Sequence, residues 1–312
     1  ALAADSMAGR EAGTPGELRA VRLLEAELSR YGVEPAGSEG YRQPVRLRAE
    51  ADPQGRTRWR LLPDGADADT VPAERLRTAY NVLGLIPGGD PERAHEVVVV
   101  GAHHDHVGFG PAVAGDSIYN GADDDASGTV AVLEIARELA RSAAGGEAPG
   151  RTILLAFFTA EEVGLLGTRH WIGNPTVAFD RVVANLQVEM IARPDSLAGG
   201  HGRGWLTGYE RSTMGDLLAA QGSPIVPDPR PEMRFFFRSD NLPFAQLGIP
   251  AHTLSSYDLH ADYHTPDDEA DRADYPHMTT LIEAALAMVR GLATGPAPAW
   301  KEGGRPEFPG AR

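Results

Sequence analysis

The sequence contains no cysteine among its 312 residues. This absence excludes disulfide bonds, iron–sulfur clusters, zinc sites built from thiolates and cysteine nucleophiles. It does not reveal the compartment, because secreted and cytosolic proteins both occur without cysteine. Any metal site in this chain must therefore be built from imidazole and oxygen ligands.

The chain also lacks long apolar runs and an excess of basic residues. No stretch approaches the roughly 20 apolar residues of a membrane-spanning helix, so we expect no membrane insertion. There are 29 Lys and Arg against 44 Asp and Glu, which gives a formal charge of −15. Binding to nucleic acid or anionic membranes needs clustered Lys and Arg, so we expect no nucleic-acid partner. The acidic excess either covers the surface or includes carboxylates that hold cations.

Strands alternate with helices over most of the chain, and 42% of the residues are hydrophobic, which is enough for a normal core. This alternation predicts an α/β fold, with a mixed, mostly parallel central sheet and helices on both faces. The predicted strands are Val97–Gly101, Thr152–Phe158, Arg181–Val188 and Ala251–Leu254. The predicted helices are Pro15–Tyr31, Thr129–Leu139, Glu162–Ile172, Arg211–Ala220, Asn241–Leu247 and Tyr275–Leu292.

Polar clusters follow the predicted strands at their carboxyl ends. His103-His104-Asp105-His106 follows the first, Glu161-Glu162 the second and Glu189 the third. Ligands of open α/β sheets collect at this edge. Imidazoles and carboxylates from separate loops that meet there make a divalent-metal site plausible, and zinc held by such ligands is of the catalytic type. Taken singly, each cluster has a simpler explanation as a local hydrogen-bonded pair or a helix cap.

In these polar clusters and the segments around them, the chain resembles the M28 family of zinc peptidases, which includes bacterial aminopeptidases with two zinc ions. The resemblance extends from Asp5 to about Leu292. Its motifs are Asp5–Arg10, Gly101–His106, Asn120–Gly128, Thr159–Gly167, Arg238–Asp240 and Asp262–Pro266.

The resemblance implies a set of roles for individual residues. Asp123 would bridge two zinc ions, so that the cofactors are two Zn²⁺ per chain. Glu162 and His264 would complete one zinc site. His103 and Glu189 would complete the other, although the family more commonly has Asp where Glu189 stands.

The resemblance also implies the catalytic roles around the metals. Glu161 would be the general base that acts on metal-activated water. Asp105 would hydrogen-bond the imidazole of His103 and fix its tautomer. Tyr257 and Arg238 are candidates to stabilise the oxyanion, and Arg238 is also a candidate to bind a substrate carboxylate.

Other aromatic residues and histidines are candidates for pocket-lining or structural roles. Phe235–Phe237 and Trp205 are candidates for a specificity pocket, with core packing as the alternative. We assign structural roles to the remaining histidines near the motifs, which are His104, His106, His252 and His260.

The fold and motifs together predict a metallopeptidase, an aminopeptidase that hydrolyses the N-terminal bond of peptide substrates. One alternative is a carboxypeptidase or dipeptidase in which Arg238 grips a C-terminal carboxylate. A second is a glutaminyl cyclase, which shares the fold and uses one zinc. A third is a binding protein without catalysis, which we expect to lack ligands that this chain retains. The oligomeric state does not follow from the sequence.

We expect one peptidase domain over residues 1–293, with a small polar excursion at about 49–77 and no protease-associated insert. A Pro- and Gly-rich tail over residues 294–312 should be loosely ordered. The chain begins Ala1-Leu2-Ala3 without methionine, and a removed signal peptide would account for this. We therefore expect a secreted, periplasmic or cell-envelope protein, with a cytoplasmic location as the alternative.

Overall fold

The computed structural model describes residues 1–63, 65–66 and 70–307. Its strands are β1 (Glu34–Pro35), β2 (Arg42–Ala51), β3 (Thr57–Leu61), β4 (Leu76–Ile86), β5 (Val97–His103), β6 (Gly108–Val113), β7 (Asp116–Tyr119), β8 (Thr152–Phe158), β9 (Val182–Val188), β10 (Gly204–Leu206), β11 (Ile225–Pro227) and β12 (Ala251–Ser255). Its α-helices are α1 (Pro15–Tyr31), α2 (Gly128–Ala144), α3 (Leu166–Gly173), α4 (Thr213–Ala220), α5 (Asn241–Gln246) and α6 (Tyr275–Thr294).

A mixed sheet forms the centre of the molecule. Its strand order is β11-β10-β12-β9-β5-β8-β4-β2-β3, with β1 paired to β4, and β6 and β7 form a separate hairpin. The four central strands β12, β9, β5 and β8 are parallel. The neighbours β10 and β4 run antiparallel to them. The predicted mixed α/β fold is confirmed, and its parallel part is the centre of the sheet.

Strand β5 is covered on both faces, and this explains its run of valines. Val98 and Val100 pack with residues of α1, α2 and α6 on one face. Val97 and Val99 pack on the other face with Trp171 of α3 and Phe244 of α5. Successive side chains of a strand point to opposite faces, so a strand between two helical layers needs apolar residues at every position.

Helix α1 has the predicted bounds because its ends are well marked. The Thr14 side chain accepts from the Glu17 N–H, and Pro15 occupies the first helical position. Gly32 ends the helix with φ 76°, the left-handed conformation that glycine adopts without steric cost. The buried stripe of Val21, Leu24 and Leu28 packs against the sheet.

The helix predicted over Glu162–Ile172 begins later, at Leu166. A tight turn precedes it, in which the N–H groups of Gly164 and Leu165 donate to the Glu161 carbonyl. Ala160 and Leu165 have positive φ in this turn, at 55° and 58°. The turn places Glu161 and Glu162 beyond the end of β8 instead of on a helix surface.

The polar excursion at about 49–77 belongs to the sheet where it is described. Strand β2 pairs with β3 and with β4, so this hairpin extends one edge of the sheet. Residues 64 and 67–69 of the excursion lie outside the described residues, as do residues 308–312 of the tail. The described part of the tail contacts the body, because Trp300 bridges to Ser212 and donates its indole N–H to the Gly248 carbonyl. The domain limits themselves stay a prediction.

Among the described residues, no helix has the combination of length and apolar composition needed to cross a membrane.

Candidate metal centre and cavity

The predicted polar clusters meet at the carboxyl ends of the central parallel strands. His103 is the last residue of β5. Glu161 and Glu162 follow β8, and Glu189 directly follows β9. The loop after β12 carries His264, and the turn before α2 contributes Asp124. Because parallel strands end at the same edge, five distant segments of the chain converge there.

Two groups of metal-ligating side chains occur within the described residues, and they share one carboxylate. The first group is His103, Asp124 and Glu189; the second is His106, Asp124, Glu162 and His264. Asp124 Oδ1 lies 3.1 Å from His103 Nε2 in the first group. Asp124 Oδ2 lies 2.9 Å from His264 Nε2 in the second. One carboxylate with an oxygen directed to each group is the arrangement of a bridging ligand between two cations.

The carboxylate shared by the two groups is therefore Asp124, and the structure places Asp123, the predicted bridging residue, outside both groups. The turn is non-helical at Asp124, where φ is −104° and ψ is 100°, so consecutive side chains leave it in different directions. The Asp123 carboxylate accepts from the Ala192 N–H at 2.7 Å and contacts His260 Nε2 at 2.9 Å. Asp123 thus ties the turn to the loop after β9.

The second group contains the predicted ligands Glu162 and His264, with Glu162 Oε2 3.1 Å from His264 Nε2. It also contains His106, for which we predicted only a structural role. His106 Nδ1 lies 2.7 Å from Glu162 Oε1, and its side chain has 0% exposure. The signal for His106 was its place in the His103–His106 cluster, but alternate residues after a strand do not reveal which imidazoles face the site.

The donors of the first group fit a common cation. His103 Nε2 lies 3.1 Å from Asp124 Oδ1 and 3.5 Å from Glu189 Oε1. Although it is buried and close to both oxygens, it makes no hydrogen bond of acceptable geometry. Three donor atoms that face one point without bonding one another are the pattern of a coordination site. Imidazole nitrogen and carboxylate oxygen are ligands that zinc accepts. Glu189, with one more methylene than the Asp expected from the family, is a member of this group.

Asp105 supports both His103 and the predicted base. His103 Nδ1 faces Asp105, with the carbonyl at 3.2 Å and carboxylate Oδ1 at 3.7 Å. The expected contact to the imidazole is therefore made mainly by the backbone carbonyl. Asp105 Oδ1 accepts instead from the Glu161 N–H at 3.2 Å. This bond holds the turn in which Glu161 and Glu162 lie.

The shifted pKa values at the site indicate that several buried ionisable groups lie close together. Burial lowers the pKa of His264, but hydrogen bonds to Asp124 and Glu162 outweigh it and raise the pKa to about 10. Burial raises the pKa of Glu161 well above its ordinary value, against an opposing effect of His103. A cation at the site would take over the role of the histidine protons, because metal binding requires neutral imidazole.

Further buried residues hold the site, and sequence reasoning did not identify them. Asp125 Oδ1 accepts from the N–H groups of Gly128 and Met190, at 2.9 and 3.1 Å. This carboxylate joins the start of α2 to the end of β9. Asp268 accepts from the N–H groups of Asp123 and Asp124, at 2.9 and 3.1 Å for its nearer contacts. Carboxylates that only brace backbone look the same in a sequence as carboxylates that bind metal.

A cavity of about 450 Å³ opens over both groups. Its wall includes Glu161 and an aromatic side formed by Trp205, Phe235 and Phe237. Trp205 and Phe235 stack with their ring centroids 5.3 Å apart. Phe236, the middle member of the predicted pocket triplet, is buried in the core.

Polar donors also line this cavity. They include the predicted Tyr257 and Arg238, and also Tyr263, which the sequence reasoning missed. Tyr263 stacks on His264 with centroids 3.9 Å apart. Burial raises the pKa of Tyr257 to about 12 and also raises that of Tyr263. Both phenols are therefore protonated at neutral pH and are able to donate a hydrogen bond.

The fold and the site define an α/β protein with a candidate two-metal centre at the carboxyl ends of its parallel strands. Residues 81–289 match the model of peptidase family M28. The chain therefore belongs to peptidase family M28.

Individual relatives agree with this family. Leucine aminopeptidase 1 of Trichoderma harzianum is 36% identical over 252 residues, which cover 75% of this chain and 60% of that protein. The aminopeptidase from Aneurinibacillus sp. strain AM-1 superposes with a TM-score of 0.65 at 18% identity, covering 95% of this chain and 92% of that one. A glutaminyl cyclase of Porphyromonas gingivalis gives 0.62 at 19% identity, covering 91% and 93%. The chain spans between 32% and 60% of the length of the first curated relatives that it matches.

Proposed function

We propose that this chain is a two-zinc aminopeptidase that hydrolyses the N-terminal peptide bond of peptides. The observation that carries the proposal is the Asp124 carboxylate, whose two oxygens face two separate groups of ligands under one cavity. Family membership supports the reaction class, and the aminopeptidases among the relatives support the N-terminal specificity.

The residues present fit zinc. His103 and Glu189 would hold one ion, Glu162 and His264 the other, and Asp124 both. Such a pair of ions polarises a carbonyl and lowers the pKa of water. The chain's own contribution is to fix these donors on the ends of neighbouring strands, where they do not need to reorganise.

Glu161 is the proton carrier in this proposal. It lines the cavity beside the metal ligands but belongs to neither ligand group. It accepts the proton of the attacking water and passes that proton to the leaving amine. The tight turn after β8 separates it from its neighbour Glu162, which faces His264. Adjacent glutamates can therefore have different roles.

The protonated donors Tyr257, Tyr263 and Arg238 line the wall and would stabilise the negative oxygen that develops on the scissile carbonyl. The aromatic side of Trp205 and Phe235 offers apolar surface to the side chain of the N-terminal residue. We therefore propose a preference for substrates with a large apolar N-terminal residue.

The test is hydrolysis of a panel of aminoacyl-p-nitroanilides and short peptides, each with a free or an acetylated N-terminus. The proposal expects cleavage of leucyl and phenylalanyl substrates only when the amine is free, and weak cleavage of glutamyl and glycyl substrates. Equal cleavage of acetylated substrates would contradict an aminopeptidase. Loss of all hydrolysis in the zinc-loaded protein would contradict the proposal as a whole.

One observation favours a second candidate, a carboxypeptidase or dipeptidase. Arg238 lines the cavity, its guanidinium lies 5.3 Å from the centroid of the Phe235 ring, and it makes no ion pair with any described residue. An unpaired guanidinium suits a substrate carboxylate. Amidating the C-terminus of a dipeptide substrate separates the candidates, because only the second one depends on a free carboxylate.

A glutaminyl cyclase reaction is the remaining alternative, since such an enzyme is among the structural neighbours. The presence of both His103 and Glu189 beside Asp124 supports a second metal and hence hydrolysis. A single bound metal together with cyclisation of N-terminal glutamine would favour the cyclase instead.

A further inference from the structure

The two ligand groups that share Asp124 are unequal in number. The group around His103 has three members, whereas the group around His264 has four, because it includes His106. All ligand atoms within each group lie within 4.8 Å of one another. His106 is therefore placed as a ligand would be, although the family resemblance assigns it no metal role.

The contacts of His106 match those of His264. His264 Nε2 lies 2.9 Å from Asp124 and 3.1 Å from Glu162. His106 Nδ1 lies 2.7 Å from Glu162 and 3.8 Å from Asp124. The two imidazoles meet edge to face, with centroids 5.3 Å apart and an interplanar angle of 79°. Both rings thus approach the same pair of carboxylates from different sides.

The backbone fixes His106 in this place. Its N–H donates to the Arg10 carbonyl at 3.3 Å. Its ring packs against Gly121, where an added Cβ would lie 2.5 Å from ring atoms. Gly121 has φ 56°, a conformation that other residues adopt with strain. The ring is fully buried, so it has little freedom to turn away from Glu162.

We propose that His106 is a fourth protein ligand of the metal held by Asp124, Glu162 and His264. The proposal makes the two sites different. The site that includes His106 would offer one more protein ligand than the site that includes His103, and it would hold its ion more tightly. This inference rests on the proposed two-metal function.

The experiment is a titration of the metal-free protein with Zn²⁺ by calorimetry and chelator competition, and with Co²⁺ by visible absorption. The wild type should bind two ions in separate steps. His106→Ala should weaken the tighter step by at least about 100-fold and leave the weaker step within about threefold, since outer contacts alone are worth about 10–100-fold. The Co²⁺ spectrum of the first equivalent should change as a nitrogen ligand is lost.

Two further variants separate ligation from simpler roles. His106→Gln keeps a hydrogen-bond donor towards Glu162 but is a poor ligand, and it should behave like His106→Ala. His260→Gln removes a neighbouring imidazole that contacts Asp123 outside both groups, and it should bind both ions normally. Circular dichroism and thermal melts of the metal-free variants verify that they fold.

The outcomes distinguish this inference from the proposed function. Normal zinc affinity in His106→Gln would show that His106 only hydrogen-bonds Glu162. Unchanged zinc affinities in His106→Ala would exclude His106 as a ligand. Either result would overturn the inference and leave the two-metal function standing. A wild type that binds no zinc would overturn both.

Discussion

Glu161 stands out among the carboxylates at the site because it faces the cavity without belonging to a ligand group. Enclosure by the protein raises its pKa, and His103 opposes this rise. A cation nearby lowers a carboxyl pKa in the same way. The residue is thus able to be ionised and basic at neutral pH, which general-base catalysis requires.

We expect Glu161→Gln to lower kcat by at least about 100-fold, the usual contribution of a general base. Its metal content should stay normal, because Glu161 holds no metal in this account. Metal analysis and steady-state kinetics on leucyl-p-nitroanilide measure the two effects. Its neighbour is the matched control, since Glu162→Gln should lose metal and activity together. Near-normal turnover of a metal-loaded Glu161→Gln enzyme would exclude the base role.

His252 carries a separate prediction about acid stability. It is buried, with Nδ1–H donating to the Thr207 carbonyl at 2.6 Å and Nε2 accepting from the Ser212 hydroxyl at 2.7 Å. Burial lowers its pKa from 6.5 to about 4. Because the unfolded state takes up the proton first, the stability present above pH 6.5 is lost as the pH falls towards 4, by about 1.4 kcal/mol per unit.

The comparison is between the wild type and His252→Asn, both metal-free, unfolded in urea at pH 7 and pH 5. The stability difference between them should shrink by about 2 kcal/mol at the lower pH, since only the wild type carries this titration. A difference that does not change with pH would show that His252 is not buried in its neutral form.

The choice between Asp123 and Asp124 marks the limit of sequence reasoning at the residue scale. The sequence locates the acidic turn before α2, because the Asp-rich run and the following helical period are both visible. It does not reveal which carboxylate faces the metals, because the turn departs from helical dihedrals at Asp124. Both residues are buried aspartates, and their contacts distinguish them.

At the scale of elements, strongly periodic segments were predictable and their exceptions have physical causes. The bounds of α1 and β8 agree with the prediction, because caps mark the helix and an unbroken apolar run marks the strand. The start of α3 was wrong because the turn at Glu161 uses positive φ angles that the sequence does not signal. The edge hairpin of β2 and β3 is polar at its exposed positions, so the sequence predicted only a small polar excursion there.

The N-terminal segment is an element with an unexpected role at the site. Arg10 is fully buried, and its guanidinium donates to the carbonyls of Leu2, His104, Asn120 and Gly121 at 2.6–2.9 Å. The His104 carbonyl lies between His103 and His106 in the chain, and the Asn120 and Gly121 carbonyls precede Asp124. The segment therefore connects the two loops that supply metal ligands.

We expect Arg10→Ala to lower the free energy of unfolding by about 3 kcal/mol or more, since it leaves several buried carbonyls without donors. Zinc affinity should fall as well, because the two loops lose their common anchor. Urea unfolding and chelator competition are the measurements. Arg30→Ala, which removes an exposed arginine paired to Glu27, is the control and should change neither. A stable Arg10→Ala protein with normal zinc affinity would contradict the anchoring role.

At the scale of the whole molecule, the formal charge of −15 includes the carboxylates of a buried acidic centre. Asp124, Glu162 and Glu189 converge with three histidines at this centre. The sequence was sufficient to predict the fold and the sheet edge, because His103, Glu162 and Glu189 lie at or after the ends of recognisable strands. The shared ligand and the position of His106 required the three-dimensional arrangement.

The central claim is that Asp124 is shared by two bound metals, and metal content in a pair of adjacent variants tests it most directly. Wild type, Asp124→Asn and Asp123→Asn are equilibrated with zinc, desalted and measured by mass spectrometry of the metal. The account predicts about two Zn²⁺ per chain in the wild type and in Asp123→Asn, and loss of both ions in Asp124→Asn, since a shared carboxylate serves both sites. Retention of both ions by Asp124→Asn, with their loss in Asp123→Asn, would contradict it.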